Sequence, residues 1–128
     1  MKIKDRDKQA IEHIVQYCDD ISSAAKRFGN SFESFSKDPL YRHACTMCIL
    51  QIGEMSNHLS DNFKKHYKEI SWGSIRGMRN IAAHNYGHID VEITWEIISY
   101  DIPNLKDFCK KVLHNQKSLE DSKPEFTL

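Results

Sequence analysis

Proline and glycine are scarce in this chain of 128 residues, which contains three prolines and five glycines. An all-β chain uses these residues to make its many turns, so their scarcity argues against that class. No apolar run approaches the ~20 residues that cross a bilayer, and the charged start lacks the apolar region of a secretory signal. With a length that fits one domain, these absences predict a single all-α protein of the cytoplasm, with no membrane segment.

The chain carries no net charge, with 18 basic and 18 acidic side chains, so no overall field attracts it to an anionic partner. One window departs from this balance. Residues 64–88 carry five basic residues against Glu69 alone, and they are Lys64, Lys65, Lys68, Arg76 and Arg79. The window predicts either a local anion site or a solvated helix face.

Four cysteines are present, and Cys45 and Cys48 form a C-x-x-C. A structural zinc needs four ligands, but no second cysteine pair or histidine pair follows at the spacing of a zinc finger. Both residues lie within a helical apolar pattern, where a small buried cysteine is common. We therefore expect buried thiols, no metal and no cofactor.

Two stretches have the apolar spacing of long helices. Apolar residues recur at three- and four-residue steps from Ile11 to Phe28 and again from Tyr41 to Leu59, which is the period of a helix with one buried face. Gly29 can end the first helix, and Asp38-Pro39 can open the second. The polar segment up to Lys37 is predicted to be a loop, and the two helices are expected to pair antiparallel.

Shorter helices are expected after residue 60. Their predicted starts are Ser60 or Asp61, Ser71-Trp72, Asp90 and the region of Pro103, each with a capping or first-turn residue. The prediction is a bundle of about five helices with short connections. It places one domain in residues 1–115 and a polar, flexible tail in residues 116–128.

The densest polar cluster lies within residues 76–86, inside the basic window. On an ideal helix Arg79 and His84 point about 140° apart, so they converge only if the helix opens near Asn85. Asn80 and His84 share a face. By composition the cluster fits either a reactive site or a helix end with solvated charges.

The motif Arg79-x4-His84-x-Tyr86 resembles the R-x4-H-x-Y motif of the HepT-like HEPN family of small helical ribonuclease toxins. The resemblance covers roughly residues 5 to 113, in sequence and in spacing. Its further matches, in family order, are Ile52-Gly53-Glu54, Trp72, Ile89-Asp90, Trp95 and Ile102-Pro103-x-Leu105.

The resemblance implies an all-α HEPN fold that dimerises around its two longest helices and cleaves RNA without a metal, at a site drawn from both protomers. Carried over by position, Arg79 and His84 are the catalytic pair and Asn80 is a supporting polar residue. Tyr86 matches the tyrosine that a partner nucleotidyltransferase of the MNT type modifies with AMP. Glu54 matches no catalytic residue of the family and is kept only as a candidate partner for Arg79.

Elementary chemistry supports the same pair. RNA carries its own nucleophile, so a metal-free nuclease needs to deprotonate the 2′-hydroxyl and stabilise charge on the phosphate. A histidine exchanges that proton near neutral pH, and an arginine binds phosphate oxygens bidentately. The expected product is a 2′,3′-cyclic phosphate, and DNA should remain uncut.

Two other functions fit the same residues. The chain could be a non-catalytic binding module that serves as scaffold or substrate for the nucleotidyltransferase, or a helical dimer with no chemistry. Tyr86 could likewise be an ordinary half-buried aromatic residue at a helix end.

Overall fold

Helices make up the regular structure of this chain. The computed structural model describes the backbone of residues 2–84 and 90–121, and the side chains of residues 2–80 and 90–120. Within these ranges there is no strand, and the all-α class is confirmed. The elements are α1 (Asp5–Phe28), α2 (Phe32–Lys37), α3 (Pro39–Asn57), α4 (Asp61–His66), α5 (Trp72–His84), α6 (Val91–Glu96), a π-helical turn (Ile97–Asp101) and α7 (Ile102–Asp121).

The two longest predicted helices, α1 and α3, pack antiparallel at the centre of the bundle. At one end Phe28 of α1 stacks on Tyr41 of α3, with ring centroids 5.4 Å apart. At the other end the Arg6 Nε–H donates to the His58 carbonyl over 2.8 Å. The apolar pattern that predicts these helices supplies the core between them, because Ile11, Ile14 and Ile52 are fully buried.

Helix α7 packs along another side of α1, also antiparallel. Near its start, the Lys106 ammonium pairs with Asp19 over 2.6 Å. Near its end, the Gln116 side chain accepts a hydrogen bond from the Ile3 backbone N–H over 3.0 Å. Gln116 is only 5% exposed, so this residue is packed against the bundle. Residues 116–121 of the predicted tail are helical, and the rest of it lies outside the described residues.

The segment that follows α1 differs from its prediction as a loop, because residues 32–37 form the short helix α2. Ser31 caps it by accepting a hydrogen bond from the Ser34 N–H over 3.1 Å. Phe35 is fully buried and contacts the rings of Tyr41 and Trp95, at centroid distances of 5.0 and 5.5 Å. Helix α2 thus exists because the rest of the bundle buries its one central aromatic side chain.

The predicted caps of three other helices are confirmed. Asp38 accepts from the Leu40 N–H, Ser60 from the Phe63 N–H and Asp90 from the Ile93 N–H. Pro103 lies in the first turn of α7, as expected. It does not separate two helices, however, because a π-helical turn joins α6 to α7. A proline cannot donate the hydrogen bond that continues an α-helix, and the wider π-helical path precedes it here.

No helix in residues 2–84 and 90–121 has the length and apolar character needed to cross a bilayer.

The carboxylate of Asp7 links the start of α1 to the start of α4. Asp7 is 2% exposed. Its two oxygens accept hydrogen bonds from the Ser60 N–H and the Ser60 hydroxyl, both over 2.7 Å. Because Ser60 also caps α4, one buried carboxylate holds that helix against α1.

We predict that Asp7→Ala lowers the free energy of unfolding by about 2–3 kcal/mol, because it leaves both Ser60 donors without their acceptor. The measurement is urea unfolding, in which the midpoint should fall and the slope should stay constant. Asp5→Ala is the matched control, since Asp5 is an exposed acidic residue in the same helical turn. Equal midpoints for the two variants would show that the Asp7–Ser60 link contributes nothing to stability.

Candidate active site

Helix α5, which carries most of the polar motif, is anchored at its first residue. The Trp72 indole N–H donates to the Tyr67 carbonyl over 3.0 Å. Its ring contacts Phe63 and Phe108 at centroid distances of 5.8 and 6.0 Å. Trp72 therefore fixes the start of α5 against α4 and α7, where its half-buried side chain packs on the core.

From this anchor α5 runs back along α3. Ile75 and Met78 are buried on the inner face of α5. One turn before the end of α3, Gly53 is buried against the side of Arg79. A Cβ atom at Gly53 would lie 2.5 Å from the Cβ of Arg79, closer than two carbon atoms can approach. The glycine of the Ile52-Gly53-Glu54 stretch therefore sets how closely α3 and α5 pack at the arginine of the motif.

Arg79 and Glu54 form an ion pair across these two helices. The closest contact joins Arg79 Nε and Glu54 Oε1 at 2.5 Å, and the two side chains are 40% and 38% exposed. Both groups are thus open to solvent on one side and held by the bundle on the other. The candidate pairing of Glu54 with Arg79 is confirmed.

The structure describes only part of the predicted constellation. Asn80, the residue that follows Arg79, is exposed. His84 is the last residue of α5, and only its backbone is described. Its side chain lies outside the described residues, as do Asn85 and Tyr86. The convergence of Arg79 and His84, which requires the helix to open near Asn85, remains a prediction.

The basic window lies on α4, the segment after it and the outer side of α5. Lys65, Lys68 and Arg76 are exposed, and Lys64 is half-buried. In the part of the chain with described side chains, none of these four cations is in an ion pair. Lys65, Lys68 and Arg76 are therefore accessible to an anion from solvent.

The four cysteines lie in the core, as expected for buried thiols. Cys18, Cys45 and Cys109 are fully buried and Cys48 is half-buried. Burial raises the pKa of the Cys18 and Cys45 thiols to about 12 and that of Cys48 to about 11, and it raises the pKa of Cys109 as well. A thiol with so high a pKa is protonated at neutral pH and is a poor nucleophile. Among the described residues, no group of three or more His, Cys, Asp or Glu side chains could hold a metal ion.

A second surface next to the site was not predicted from the sequence. Leu40 and Met47 of α3 are 66% and 56% exposed. At helical spacing they share a face with Ala44, Gln51 and Glu54, and we call these five residues the α3 stripe. The feature of the sequence that indicates this stripe is the seven-residue step from Leu40 to Met47. This step begins one residue before Tyr41, the first buried residue of α3. The stripe ends at the Glu54–Arg79 pair.

The helical bundle agrees with a match to a family model. The model of HepT-like ribonucleases matches residues 8–112. This chain belongs to the HepT-like ribonuclease family.

Named relatives agree with this family. A provisionally named RNase of Caldanaerobacter subterraneus subsp. tengcongensis is 35% identical over 107 residues, which cover 84% of this chain and 94% of the relative. Another provisionally named RNase, from Methanocaldococcus jannaschii, is 25% identical over 115 residues, or 90% of this chain and 93% of the relative. A Thermococcus cleftensis protein provisionally named ribonuclease HepT is 33% identical over 81 residues, or 63% of this chain and 74% of the relative. No solved structure gives a significant match.

We predict that Gly53→Ala lowers the free energy of unfolding by about 1–3 kcal/mol, because the added methyl group overpacks the α3–α5 contact. Gly77→Ala is the matched control, since a Cβ atom at Gly77 meets nothing within 4 Å. The control should gain up to about 1 kcal/mol from better helix propensity. Urea unfolding of both variants measures the difference. If the two substitutions changed stability in the same direction, the close approach at Gly53 would not constrain the packing.

Proposed function

We propose that this chain is a metal-independent endoribonuclease and the toxin of a toxin–antitoxin pair, with Arg79 and His84 as its catalytic pair. The observation that carries the proposal is the placement of Arg79, which α5 packs against Gly53 of α3 and leaves 40% exposed beside Glu54. His84 follows five positions later on the same helix. Membership of the HepT-like ribonuclease family supports RNA as the substrate.

The proposed reaction uses the RNA's own nucleophile. His84 accepts the proton of the 2′-hydroxyl, and the 2′-oxygen forms a bond to phosphorus as the bond to the 5′-oxygen breaks. The leaving 5′-oxygen takes a proton from a second acid, and the products are a 2′,3′-cyclic phosphate and a 5′-hydroxyl end. Arg79 binds the non-bridging oxygens and stabilises the charge that develops on them. Asn80, exposed beside Arg79, offers amide donors to the same phosphate or its neighbour.

The second acid is the reason we propose a homodimer. One protomer brings one His84, whereas a two-fold axis beside the site brings two copies of His84 and Arg79 into one cleft. The α3 stripe supports an interface at this place, because its exposed Leu40 and Met47 lead directly to Glu54 and Arg79. Exposed apolar side chains that line one face are typical of interaction surfaces.

We propose that Tyr86 is the point of control, by transfer of AMP from a partner nucleotidyltransferase of the MNT type. Tyr86 lies two positions after His84 in the sequence. A bulky anion attached there would stand in the path of the RNA phosphate and repel it. In the alternative, the protein is a non-catalytic scaffold or substrate for that nucleotidyltransferase, and Arg79 and His84 have no reaction to catalyse.

Dimerisation through the α3 stripe predicts that Met47→Glu dissociates the protein, because it places a charge in an apolar contact. Light scattering at micromolar concentration should give twice the chain mass of 15.0 kDa for wild type and the single chain mass for the variant. Gln9→Glu on α1 is the control, since it adds the same charge at an exposed position away from the stripe. A wild-type protein with the mass of one chain would contradict the dimer.

The catalytic proposal predicts RNA cleavage by the purified, unmodified protein in the presence of EDTA. Loss of the proton-transfer group in His84→Ala should slow cleavage by roughly 10²–10⁴-fold. Arg79→Ala should slow cleavage by a similar factor. His114→Ala is the control, because His114 is exposed on α7. A DNA strand of the same sequence should stay intact, and its cleavage at an equal rate would rule out the 2′-hydroxyl mechanism.

Growth separates this proposal from the scaffold alternative. Expression of the wild-type chain alone should slow growth, and His84→Ala should abolish the effect. Co-expression with the nucleotidyltransferase should restore growth and add the mass of AMP to the wild-type chain but not to Tyr86→Phe. If wild type neither cuts RNA nor slows growth while intact mass shows Tyr86 unmodified, the scaffold function is favoured.

A further inference from the structure

We infer that Glu54 is a positioning residue of the proposed nuclease, which holds the guanidinium of Arg79 by its Nε side and directs the two terminal nitrogens toward the RNA phosphate. The inference rests on the proposed function. It adds to the R-x4-H-x-Y motif a residue from another helix, 25 positions earlier in the chain.

The contact geometry supports this role. Glu54 and Arg79 belong to different helices, and their closest contact, 2.5 Å, is between Oε1 and Nε. A guanidinium has five N–H donors in a rigid plane. A carboxylate on the Nε side leaves the outer edge, formed by the two terminal nitrogens, available for two parallel bonds to a phosphate. Glu54 and the RNA can therefore bind the same arginine at the same time.

The packing around the pair makes the orientation specific. Gly53 lets the Cβ of Arg79 lie directly against α3, so the side chain starts from a fixed point beside Glu54. Beyond that point a free arginine has ~2 kcal/mol of rotamer entropy, and Glu54 limits the directions it can take before RNA binds. Preordering of this kind speeds a reaction because the bound geometry is already close to that of the transition state.

The exposure of the pair argues against a role in stability. Both side chains are more than a third exposed, and ion pairs at such sites contribute little to folding. The Glu33–Lys37 pair gives a direct comparison, with a 2.7 Å contact and side chains 75% and 73% exposed, on a single short helix. Glu54 differs from Glu33 in binding an arginine of the motif from across a helix–helix contact.

The test compares Glu54→Ala and Glu54→Gln with Glu33→Gln in single-turnover cleavage of a short RNA in EDTA. Glu54→Ala should lower the cleavage rate at saturating RNA by roughly 10- to 100-fold, the loss expected for a misplaced catalytic group. The concentration that gives half of the maximal single-turnover rate should change far less. Glu54→Gln keeps an acceptor oxygen at the same distance from the backbone, so its cleavage rate should lie between those of Glu54→Ala and wild type. Glu33→Gln should match wild type, and the urea midpoints of all three variants should agree.

Two further readouts separate positioning from other roles. In the Arg79→Ala background, Glu54→Ala should cause no further loss, because the glutamate acts through the arginine. In Glu54→Gln the pH profile of the cleavage rate should keep its shape, and the rate should be lower by the same factor at every pH. Loss of one limb of that profile would make Glu54 the proton acceptor, and faster cleavage by Glu54→Ala would make it a competitor of the phosphate. Either result overturns the inference.

The outcomes for the two proposals are distinct. If wild type cleaves RNA and Glu54→Ala cleaves it equally well, the positioning role is wrong and the nuclease proposal stands. If wild type does not cleave RNA, or Arg79→Ala cleaves it as well as wild type, the proposed function fails and the role of Glu54 fails with it.

Discussion

The close contact of α3 and α5 at Gly53 determines where the arginine of the motif lies. A helix-interior glycine costs about 1 kcal/mol relative to alanine, and here it leaves room for the Cβ of Arg79. Because the backbone of α5 meets α3 at that point, the guanidinium emerges beside Glu54 and half in solvent. Any change in the spacing of these two helices would move the arginine relative to both the glutamate and the basic window.

The rest of the bundle keeps that contact in place from its ends. Trp72 holds the start of α5 against Phe63 and Phe108. Asp7 holds α4 against α1 through two hydrogen bonds to Ser60, and the α1–α3 pair supplies the apolar core on which α5 packs. The site is therefore a surface feature whose position depends on buried contacts several residues away, a common arrangement for a reactive group carried on a rigid frame.

The exposure of the Glu54–Arg79 pair limits what it can contribute to stability. The Glu54–Arg79 pair is open to water, where an ion pair stabilises the fold only slightly. The same openness leaves the guanidinium partly accessible to solvent. Partial exposure thus agrees with a group that binds a large anion such as an RNA phosphate. Full burial would have favoured a purely structural ion pair.

The sequence by itself determined the features that depend on neighbours along the chain. These are the all-α class, the two long helices, the caps at Asp38, Ser60 and Asp90, and membership of the HepT-like ribonuclease family. The tertiary structure decided what depends on distant segments: α2 forms because Tyr41 and Trp95 enclose Phe35, and α7 passes residue 115 because Gln116 bonds to Ile3. It also paired Glu54 with Arg79 through the space at Gly53. Periodicity and capping record which face of a helix is apolar, whereas the partner that covers that face is fixed only when the helices pack.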